Sequence, residues 1–306
     1  MVIPVYNSGS ILARLIGRLN PVLRQLGADH EVILVDDGSR DDSWAAVQAQ
    51  SAEHSHVRGL RMMRNYGQHN ALLCGIRAAR YDRVITMDDD LQHRPEEIPT
   101  LLKELAQGHD VVYGPPIDHQ HGLWRWFASY ITKLTLQKAM GSETARSTSA
   151  FRAFRTDLRR AFSHYRGQFV SLDVLLTWAT TRFSLVKVPH DPRADGVSNY
   201  TVRKLVVHAL NMMTGFSVFP LQIASLVGFF FTLIGVGLFL FVIGRFLLFG
   251  TSVPGFPFLA STIAILSGAQ LFALGIMGEY LARMHFRSMD RPPYAIAEET
   301  RHRGQA

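Results

Sequence analysis

The chain has 306 residues, of which 47% are hydrophobic, and its mean hydropathy of +0.07 is high for a water-soluble enzyme. The formal net charge of +7 suits nucleic acid, an anionic membrane or anionic substrates. Arginines flank long apolar runs in the C-terminal third, which favours a membrane surface and makes nucleic acid an unexpected partner. The single cysteine, Cys74, excludes an internal disulfide and any multi-cysteine metal site.

Up to about residue 116, short apolar runs alternate with helix-like stretches. The apolar runs are Met1–Val5, Glu31–Val35, Arg83–Met87 and Asp110–Tyr113. The helix-like stretches are Gly9–Leu26, Asp41–Ser51 and Gln68–Ala79. This alternation predicts an α/β domain with a mainly parallel sheet and helices on both faces. Ligands of such sheets bind at the carboxyl ends of the strands.

The first polar cluster, Asp36-Asp37-Gly38-Ser39, follows the second apolar run. Carboxylates at a strand end can accept hydrogen bonds from a nucleobase or ribose, and Gly38 permits a close turn. The ordinary alternative is a turn whose Ser39 or Asp41 caps the next helix. A second cluster, Asn65-Tyr66-Gly67-Gln68, joins a basic strand to a helix, where backbone amides can meet a phosphate.

The most charged cluster, Asp88-Asp89-Asp90-Leu91-Gln92, follows the apolar run that ends at Met87. Three consecutive carboxylates repel one another, so this turn is costly without a cation. If the run is extended, Asp88 and Asp90 point to the same side. Their hard oxygen atoms suit Mg²⁺ or Mn²⁺ shared with substrate phosphates, and the ion would neutralise charge on a nucleoside diphosphate leaving group. A solvated acidic turn is the alternative.

Aromatic and aliphatic residues mix with arginine and lysine at about 123–138 and 201–216. This composition predicts amphipathic helices that lie in the membrane interface. Packing against the soluble core is the alternative.

Two charge-free apolar runs, about 218–243 and 256–277, reach the roughly 20 residues that cross a bilayer. Basic residues flank the pair at Arg203, Lys204, Arg283, Arg287 and Arg291. The positive-inside rule therefore places both outer ends in the cytoplasm. A buried helical hairpin of a soluble core is the alternative, although charge-free runs of this length are rare there.

The predicted organisation has four parts. They are a cytoplasmic catalytic domain at 1–200, a juxtamembrane helix at 201–216, a transmembrane hairpin at 217–281 and a cytoplasmic basic tail at 282–306.

The order of the motifs is more specific than any one of them. In chain order they are Pro4-Val5-Tyr6-Asn7, Asp36-Asp37-Gly38-Ser39, Asn65-Tyr66-Gly67-Gln68, Asp88-Asp89-Asp90-Leu91-Gln92, Ser149-Ala150-Phe151-Arg152 and Gly196-Val197-Ser198-Asn199-Tyr200. This series resembles the inverting glycosyltransferases of family 2, and within them the polyprenyl-phosphate branch, which includes dolichyl-phosphate mannose synthase and bactoprenol glucosyltransferase. Phe151–Arg155 and Arg291-Pro292-Pro293-Tyr294 are similar to the bacterial undecaprenyl-phosphate aminoarabinose transferases.

The resemblance implies a Rossmann-like GT-A domain that binds a nucleotide sugar, with UDP as the expected nucleotide. The nucleotide-sugar residues it implies are Pro4, Tyr6, Asp36, Asp37, Gly38, Asn65, Gln68, Asp88 and Asp89. The metal ligands for Mg²⁺ or Mn²⁺ are Asp88, Asp90 and Gln92, and the catalytic residues are Asp90, Arg152 and Arg193. The acceptor-phosphate residues are Arg125, Ser129, Arg152, Arg193 and Ser198, because arginine forks pair well with phosphate oxygens.

The implied partners are a polyprenyl phosphate, the membrane and further copies of the chain, with a tetramer possible. The implied location is the bacterial inner membrane, and the implied product is a lipid-linked sugar for cell-envelope glycans or lipid A modification. A processive polysaccharide synthase and a non-catalytic membrane scaffold of the same fold are the competing hypotheses.

The chain departs from its relatives in ways that bear on mechanism. Ala150 stands where many relatives have an aspartate, Asp89 adds a charge to the usual Asp-Ala-Asp, Ser8-Gly9 replaces an acidic pair, and Asn199 replaces a common lysine. A phosphate monoester has a second pKa near 6, so at neutral pH it is already a mostly deprotonated nucleophile. Catalysis is therefore expected to depend on a metal ion and arginines and not on a protein base.

Overall fold

A computed structural model describes residues 1–117, 148–167, 170–191, 219–250 and 255–300. Four parallel strands form the centre of its sheet: β1 (Val2–Val5), β2 (Val32–Asp36), β3 (Val57–Met62) and β4 (Arg83–Thr86). Helices α1 (Gly9–Gln25), α2 (Ser43–Glu53) and α3 (Gln68–Ala78) connect them. The α/β fold that the alternation predicts is confirmed.

Four further strands complete the described sheet: β5 (Val111–Tyr113), β6 (Arg152–Arg155), β7 (Phe183–Leu185) and β8 (Ile296–Glu299). The strand order is β7-β5-β6-β4-β1-β2-β3-β8. Strand β6 runs antiparallel to both β4 and β5, and β8 runs antiparallel to β3. Helices α4 (Ile98–Leu105) and α5 (Leu172–Ala179) follow β4 and β6 in the chain.

Both faces of the central strands are covered, which explains why these strands are apolar throughout. Leu12 and Leu15 of α1 join the core on one face together with Val47 of α2. Helix α3 packs on the other face, and a Cβ atom added to Gly75 would lie 2.4 Å from Val2 Cγ1. Each fully buried aliphatic side chain of this core contributes about 1.5–3 kcal/mol.

Two long helices, α6 (Phe219–Phe249) and α7 (Phe256–Ser288), belong to a separate compact unit, Leu210–Met289. They contact each other, and their stretches Leu221–Leu248 and Ile265–Phe286 are long and apolar enough to cross a membrane. Large apolar side chains on them are exposed, as expected of a surface that faces lipid. The helices extend beyond the predicted runs at 218–243 and 256–277.

The chain returns to the first unit after α7, because Asp290–Ala306 clusters with Met1–Ala209. The sequence predicts only a basic tail at 282–306, whereas Ile296–Glu299 forms the edge strand β8. Thr300 extends this pairing, since its N–H donates to Gly59 O at 3.0 Å and its Oγ1 accepts from Gly59 N at 2.8 Å.

Candidate active site

A cleft of about 310 Å³ opens at the carboxyl ends of β1, β2 and β4, where the sequence predicts ligand binding. Its lining residues are Pro4, Val5, Tyr6, Asp37, Asn65, Gly67, Gln68, Asp88, Asp89 and Asp90. Most of the predicted nucleotide-sugar residues thus meet in one place. Asp36 and Gly38 lie next to the cleft without lining it.

Asp37 shapes one wall of the cleft by holding the loop between β3 and α3. Its Oδ1 accepts from the Tyr66 N–H at 2.7 Å and its Oδ2 from the Gly67 N–H at 2.9 Å. Gly38 has φ +66°, and a Cβ atom there would lie 2.5 Å from the carbonyl carbon of Arg64. Burial raises the pKa of Asp37 to about 6 although both N–H groups oppose the shift.

Asp36, the last residue of β2, is fully buried behind this wall. Its Oδ1 accepts from the Ser39 N–H at 3.2 Å, and its Oδ2 lies 3.7 Å from Arg61 Nε. Arg61 also lies 4.0 Å from Glu298 of β8, which accepts from the Trp44 indole N–H at 3.0 Å. In this structure Asp36 contacts protein groups, and its predicted contact with the nucleotide stays a prediction.

Asp88, Asp89 and Asp90 of the acidic loop Asp88–Gln92 line the floor of the cleft, whereas Gln92, a predicted metal ligand, does not line it. Asp88 Oδ1 accepts from Gln68 Nε2 at 2.6 Å, and Asp90 Oδ1 accepts from the Gln92 N–H at 3.1 Å. Leu91 has φ +60°, an uncommon conformation for a residue with a side chain. The carboxylates are therefore held in a tight turn at the point where β4 ends.

The carboxylate of Asp89, in the middle of the loop, is buried with too few hydrogen bonds to stabilise its charge. Its Oδ2 is buried and has no hydrogen-bond partner among the residues that the structure describes. Burial raises its pKa to about 6, against hydrogen bonds from the Ser8 hydroxyl and the Tyr6 backbone that lower it. A cation at the loop would relieve this cost.

The donor set fits a hard divalent cation that shares its coordination with a substrate. Asp88, Asp90 and Gln92 supply only oxygen atoms, which Mg²⁺ and Mn²⁺ prefer. Within the described residues, no group of three His, Cys, Asp or Glu side chains is arranged to hold a metal ion by itself. Phosphate oxygens or water would supply the remaining ligands, as is usual for Mg²⁺.

His93, which is not among the residues predicted from the sequence, supports the acidic loop through a hydrogen bond to Asp88. Its Nδ1 accepts from the Asp88 N–H at 3.3 Å. Its ring stacks on Phe151 at a centroid distance of 5.4 Å and meets the edge of His190 at 4.9 Å. Burial lowers the pKa of His93 to about 4, so the ring is neutral at pH 7 and able to accept. Its place directly after Gln92 was the one signal in the sequence.

Arg152, at the start of β6, is buried and does not line the cleft. Its Nη1 pairs with the Asp173 carboxylate, which also accepts from the Tyr113 hydroxyl at 2.9 Å. Neither Asp173 nor Tyr113 stood out in the sequence. At the neighbouring Ala150, which has no carboxylate, the carbonyl accepts from Thr86 Oγ1 at 2.7 Å.

The remaining acceptor-site predictions lie outside the described residues. They concern Arg125, Ser129, Arg193 and Ser198, together with the interfacial helices at 123–138 and 201–216.

Comparison with known proteins identifies the family. The model for glycosyl transferase family 2 matches residues 1–165. The chain belongs to glycosyl transferase family 2. It is 35% identical over 304 residues to the undecaprenyl-phosphate 4-deoxy-4-formamido-L-arabinose transferase of Pseudomonas aeruginosa, covering 98% of this chain and 90% of that protein. The enzyme of the same name from Pectobacterium carotovorum is 35% identical over 299 residues, 97% of this chain and 91% of that one.

Among solved structures, mannosyl-3-phosphoglycerate synthase from Rubrobacter xylanophilus shares the fold. The TM-score is 0.51 at 13% sequence identity, over 69% of this chain and 72% of that one. The family 2 prediction, the GT-A-like fold and the assignment as a glycosyltransferase are thereby confirmed.

Proposed function

We propose that this family 2 enzyme transfers a monosaccharide from a UDP-sugar to undecaprenyl phosphate, with inversion at the anomeric carbon. The observation that carries the proposal is the cleft at the carboxyl ends of the strands, floored by three consecutive carboxylates. Two helices apolar enough to cross a membrane give the same chain access to a lipid acceptor. The names of the curated relatives, which span nearly the whole chain, support this acceptor and point to a formamido-arabinose donor.

The donor is expected to enter over Tyr6, which is 45% exposed at the mouth of the cleft. Pro4 and Tyr6 would contact the nucleoside, and the loop that Asp37 holds would face the diphosphate. Mg²⁺ or Mn²⁺ held by Asp88, Asp90 and Gln92 would neutralise the charge that develops on the departing nucleoside diphosphate. Gln68 would keep Asp88 oriented through the bond that it donates.

The transfer forms one bond and breaks one. A phosphate oxygen of the acceptor bonds to the anomeric carbon while the bond from that carbon to the diphosphate oxygen breaks, and the electron pair leaves with UDP. With a second pKa near 6, the acceptor phosphate is mostly a dianion at neutral pH and needs no protein base. Ala150, which cannot serve as one, is compatible with this chemistry. Positioning of the two substrates, together with charge neutralisation by the metal ion, would then provide the acceleration.

The acceptor phosphate is assigned to Arg125, Ser129, Arg193 and Ser198 by the resemblance to the polyprenyl-phosphate branch. Arg152 is buried in an ion pair with Asp173, so it would stabilise the protein beside the cleft. It would reach the acceptor phosphate only if this ion pair opens when the acceptor binds.

We also place the enzyme in the bacterial inner membrane. Both helices would cross the bilayer, with the catalytic domain cytoplasmic and the 250–255 connection outside. Self-association to a homo-oligomer, with a tetramer as one form, would cover part of the exposed apolar helix surface.

The test uses the full chain in nanodiscs with undecaprenyl phosphate, MnCl₂ or MgCl₂, and a panel of UDP-sugars that includes UDP-4-deoxy-4-formamido-L-arabinose. UDP release and the lipid-linked product are measured together, the product by mass spectrometry and its anomeric configuration by NMR. We expect both signals with one donor and neither with Asp88→Asn. UDP release without a lipid product, or no release with any donor, would overturn the proposal.

A further inference from the structure

A distant segment of the chain is joined directly to the acidic loop. His190 forms an antiparallel bridge with His93, and the Asp191 N–H donates to the Gln92 carbonyl at 2.8 Å. Upstream, the Val188 N–H donates to the Pro115 carbonyl at 2.9 Å, which ties the same segment to the end of β5. The loop is therefore bonded to a second segment on the side where its last predicted metal ligand, Gln92, lies.

The Asp191 side chain strengthens this junction. Its Oδ1 lies 2.7 Å from Arg94 Nε and 2.5 Å from Arg94 Nη2, while its Oδ2 lies 3.5 Å from Arg18 Nη1. Arg18 pairs in turn with Glu96 at 2.9 Å. The hydrogen bond from Arg94 holds the pKa of Asp191 below its usual range. Asp191 is thus a charged anchor between two arginines, one of which directly follows the loop and His93.

Two physical consequences follow for the loop. Asp88 and Asp90 must bring oxygen atoms to within about 2.0–2.2 Å of one ion, although their charges repel each other when it is absent. Links to Asp88 through His93 and to Gln92 through Asp191 hold both ends of the loop against this repulsion. The second consequence concerns Arg94, because its paired contact with Asp191 fixes the chain directly after the loop and His93.

We propose that Asp191 is a positioning residue for the metal–diphosphate site. It holds the acidic loop in its metal-binding shape through its contact with Gln92 and through Arg94, which it fixes directly after the loop and His93. The inference rests on the proposed function insofar as Asp88, Asp90 and Gln92 bind a divalent ion with UDP.

The test measures Mn²⁺ binding to the full chain with saturating UDP, by electron paramagnetic resonance of free Mn²⁺. Loss of a group that orients metal ligands typically weakens metal binding about 10–100-fold, and we expect a loss in this range for Asp191→Asn. Asp191→Glu, which keeps the charge, should recover most of the affinity. Binding of UDP without metal should match the wild type, and the sugar-transfer rate of Asp191→Asn should recover as Mn²⁺ is raised.

Asp110→Asn is the matched control. Asp110 also lies between two arginines, 2.8 Å from Arg182 and 4.0 Å from Arg155. It lies where the parallel strands begin, at the end of the sheet opposite the cleft. We expect it to lower the unfolding temperature and to leave the Mn²⁺ affinity unchanged. Arg94→Lys, which keeps the charge but not the paired contact, is the second variant should Asp191→Asn not fold, and it should weaken Mn²⁺ binding.

The inference is overturned if both Asp191→Asn and Arg94→Lys bind Mn²⁺ like the wild type, or if Asp110→Asn weakens Mn²⁺ binding equally. If the wild type itself binds no Mn²⁺ with UDP, the metal role in the proposed function fails and this inference fails with it. UDP binding and sugar transfer that proceed without metal would identify that second case.

Discussion

Carboxylates at the two ends of the parallel strands lie in different electrostatic surroundings. The end where these strands begin is the amino edge of the sheet, and the end where they finish is the carboxyl edge. At the amino edge, Asp110 is paired with Arg182, whose hydrogen bonds help to lower the pKa of Asp110 in spite of burial. Glu31, at the same edge, lies between Arg58 and Arg80. At the carboxyl edge, burial raises the pKa of both Asp37 and Asp89 to about 6.

This contrast separates stability from function within one sheet. Carboxylates with arginine partners support the folded state, whereas those without enough compensation cost folding free energy and are ready for a cationic ligand. The cleft and the acidic loop lie at the second edge, where Asp191, which is paired with Arg94 and does not line the cleft, is an exception to the contrast.

Replacing Asp90 by asparagine should reduce kcat/KM for sugar transfer by two to three orders of magnitude. A metal ion supplies several kcal/mol of charge stabilisation, at about 1.4 kcal/mol for each factor of ten. Asp157→Asn is the control at the amino edge, because Asp157 pairs with Arg160 on the surface at 3.2 Å. Comparable losses of activity in both variants would remove the functional distinction between the edges.

The pH dependence of stability should have opposite signs at the two edges. The pKa of Asp37 rises on folding from 3.8 to about 6, so between these values the folded protein holds a proton that the unfolded chain has lost. Its contribution to the free energy of unfolding therefore falls as pH rises from about 4 to 6, by at most about 3 kcal/mol at 1.4 kcal/mol per unit. The pKa of Asp110 is lowered, so its contribution is present above pH 3.8 and is lost as pH falls below it.

Urea unfolding from pH 3 to 7 measures both effects. The difference in unfolding free energy between the wild type and Asp37→Asn should shift against the wild type as pH rises through 4 to 6. A difference that stays constant over this range would contradict the assignment to Asp37.

Gly38→Ala should cost about 1–3 kcal/mol of stability and weaken UDP binding, because a side chain at φ +66° is strained and would meet the Arg64 backbone. Gly17→Ala is the control, since this glycine of α1 has φ in the ordinary range and no described residue lies within 4 Å of an added Cβ. That change should be neutral or stabilising by up to about 1 kcal/mol. Calorimetric unfolding and UDP titration distinguish the two, and equal UDP affinity in both variants would refute a role for the Gly38 turn.

Asp110→Asn should have the smallest effect, about 1–2 kcal/mol of stability, because it weakens hydrogen bonds from Arg182 and Thr180. Its kcat/KM should stay within about twofold of the wild type, since one stability loss of this size leaves the folded state dominant. A larger loss of activity at full folding would connect the amino edge to catalysis.

The sequence predicts the parallel half of the sheet well for a physical reason. A strand such as Val32–Asp36 is covered on both faces, so its apolar run is continuous and visible without the structure. The acidic loop was also predictable, because ligand sites of parallel sheets follow the ends of strands. The antiparallel strands were not, since β6 is short with arginine at both ends and β8 has all four residues exposed.

The site was less predictable wherever tertiary contacts decide the role of a side chain. From the sequence, Asp36 and Asp37 are predicted alike to bind the nucleotide, yet of the two only Asp37 lines the cleft. Its carboxylate accepts a hydrogen bond from the Tyr66 N–H and so holds the loop between β3 and α3. Arg152 is bound to Asp173, a contact that no local pattern encodes. His93 and Asp191 have their roles because the chain brings His190 and Asp191 back against the acidic loop.

Strand β8 changes what kind of element the apolar hairpin is. Because the chain re-enters the catalytic sheet after α7, the hairpin is an insertion between two parts of one domain and is tethered at both ends. A protein cut after Ser288 would therefore lose more than a tail. The backbone groups of β3 that pair with β8 would be left without partners, and such an open strand edge is prone to aggregation. Arg61, which lies near both Asp36 and Glu298, would lose its contact with Glu298. Removing the two apolar helices without this damage would require excising the hairpin and rejoining the chain ahead of β8.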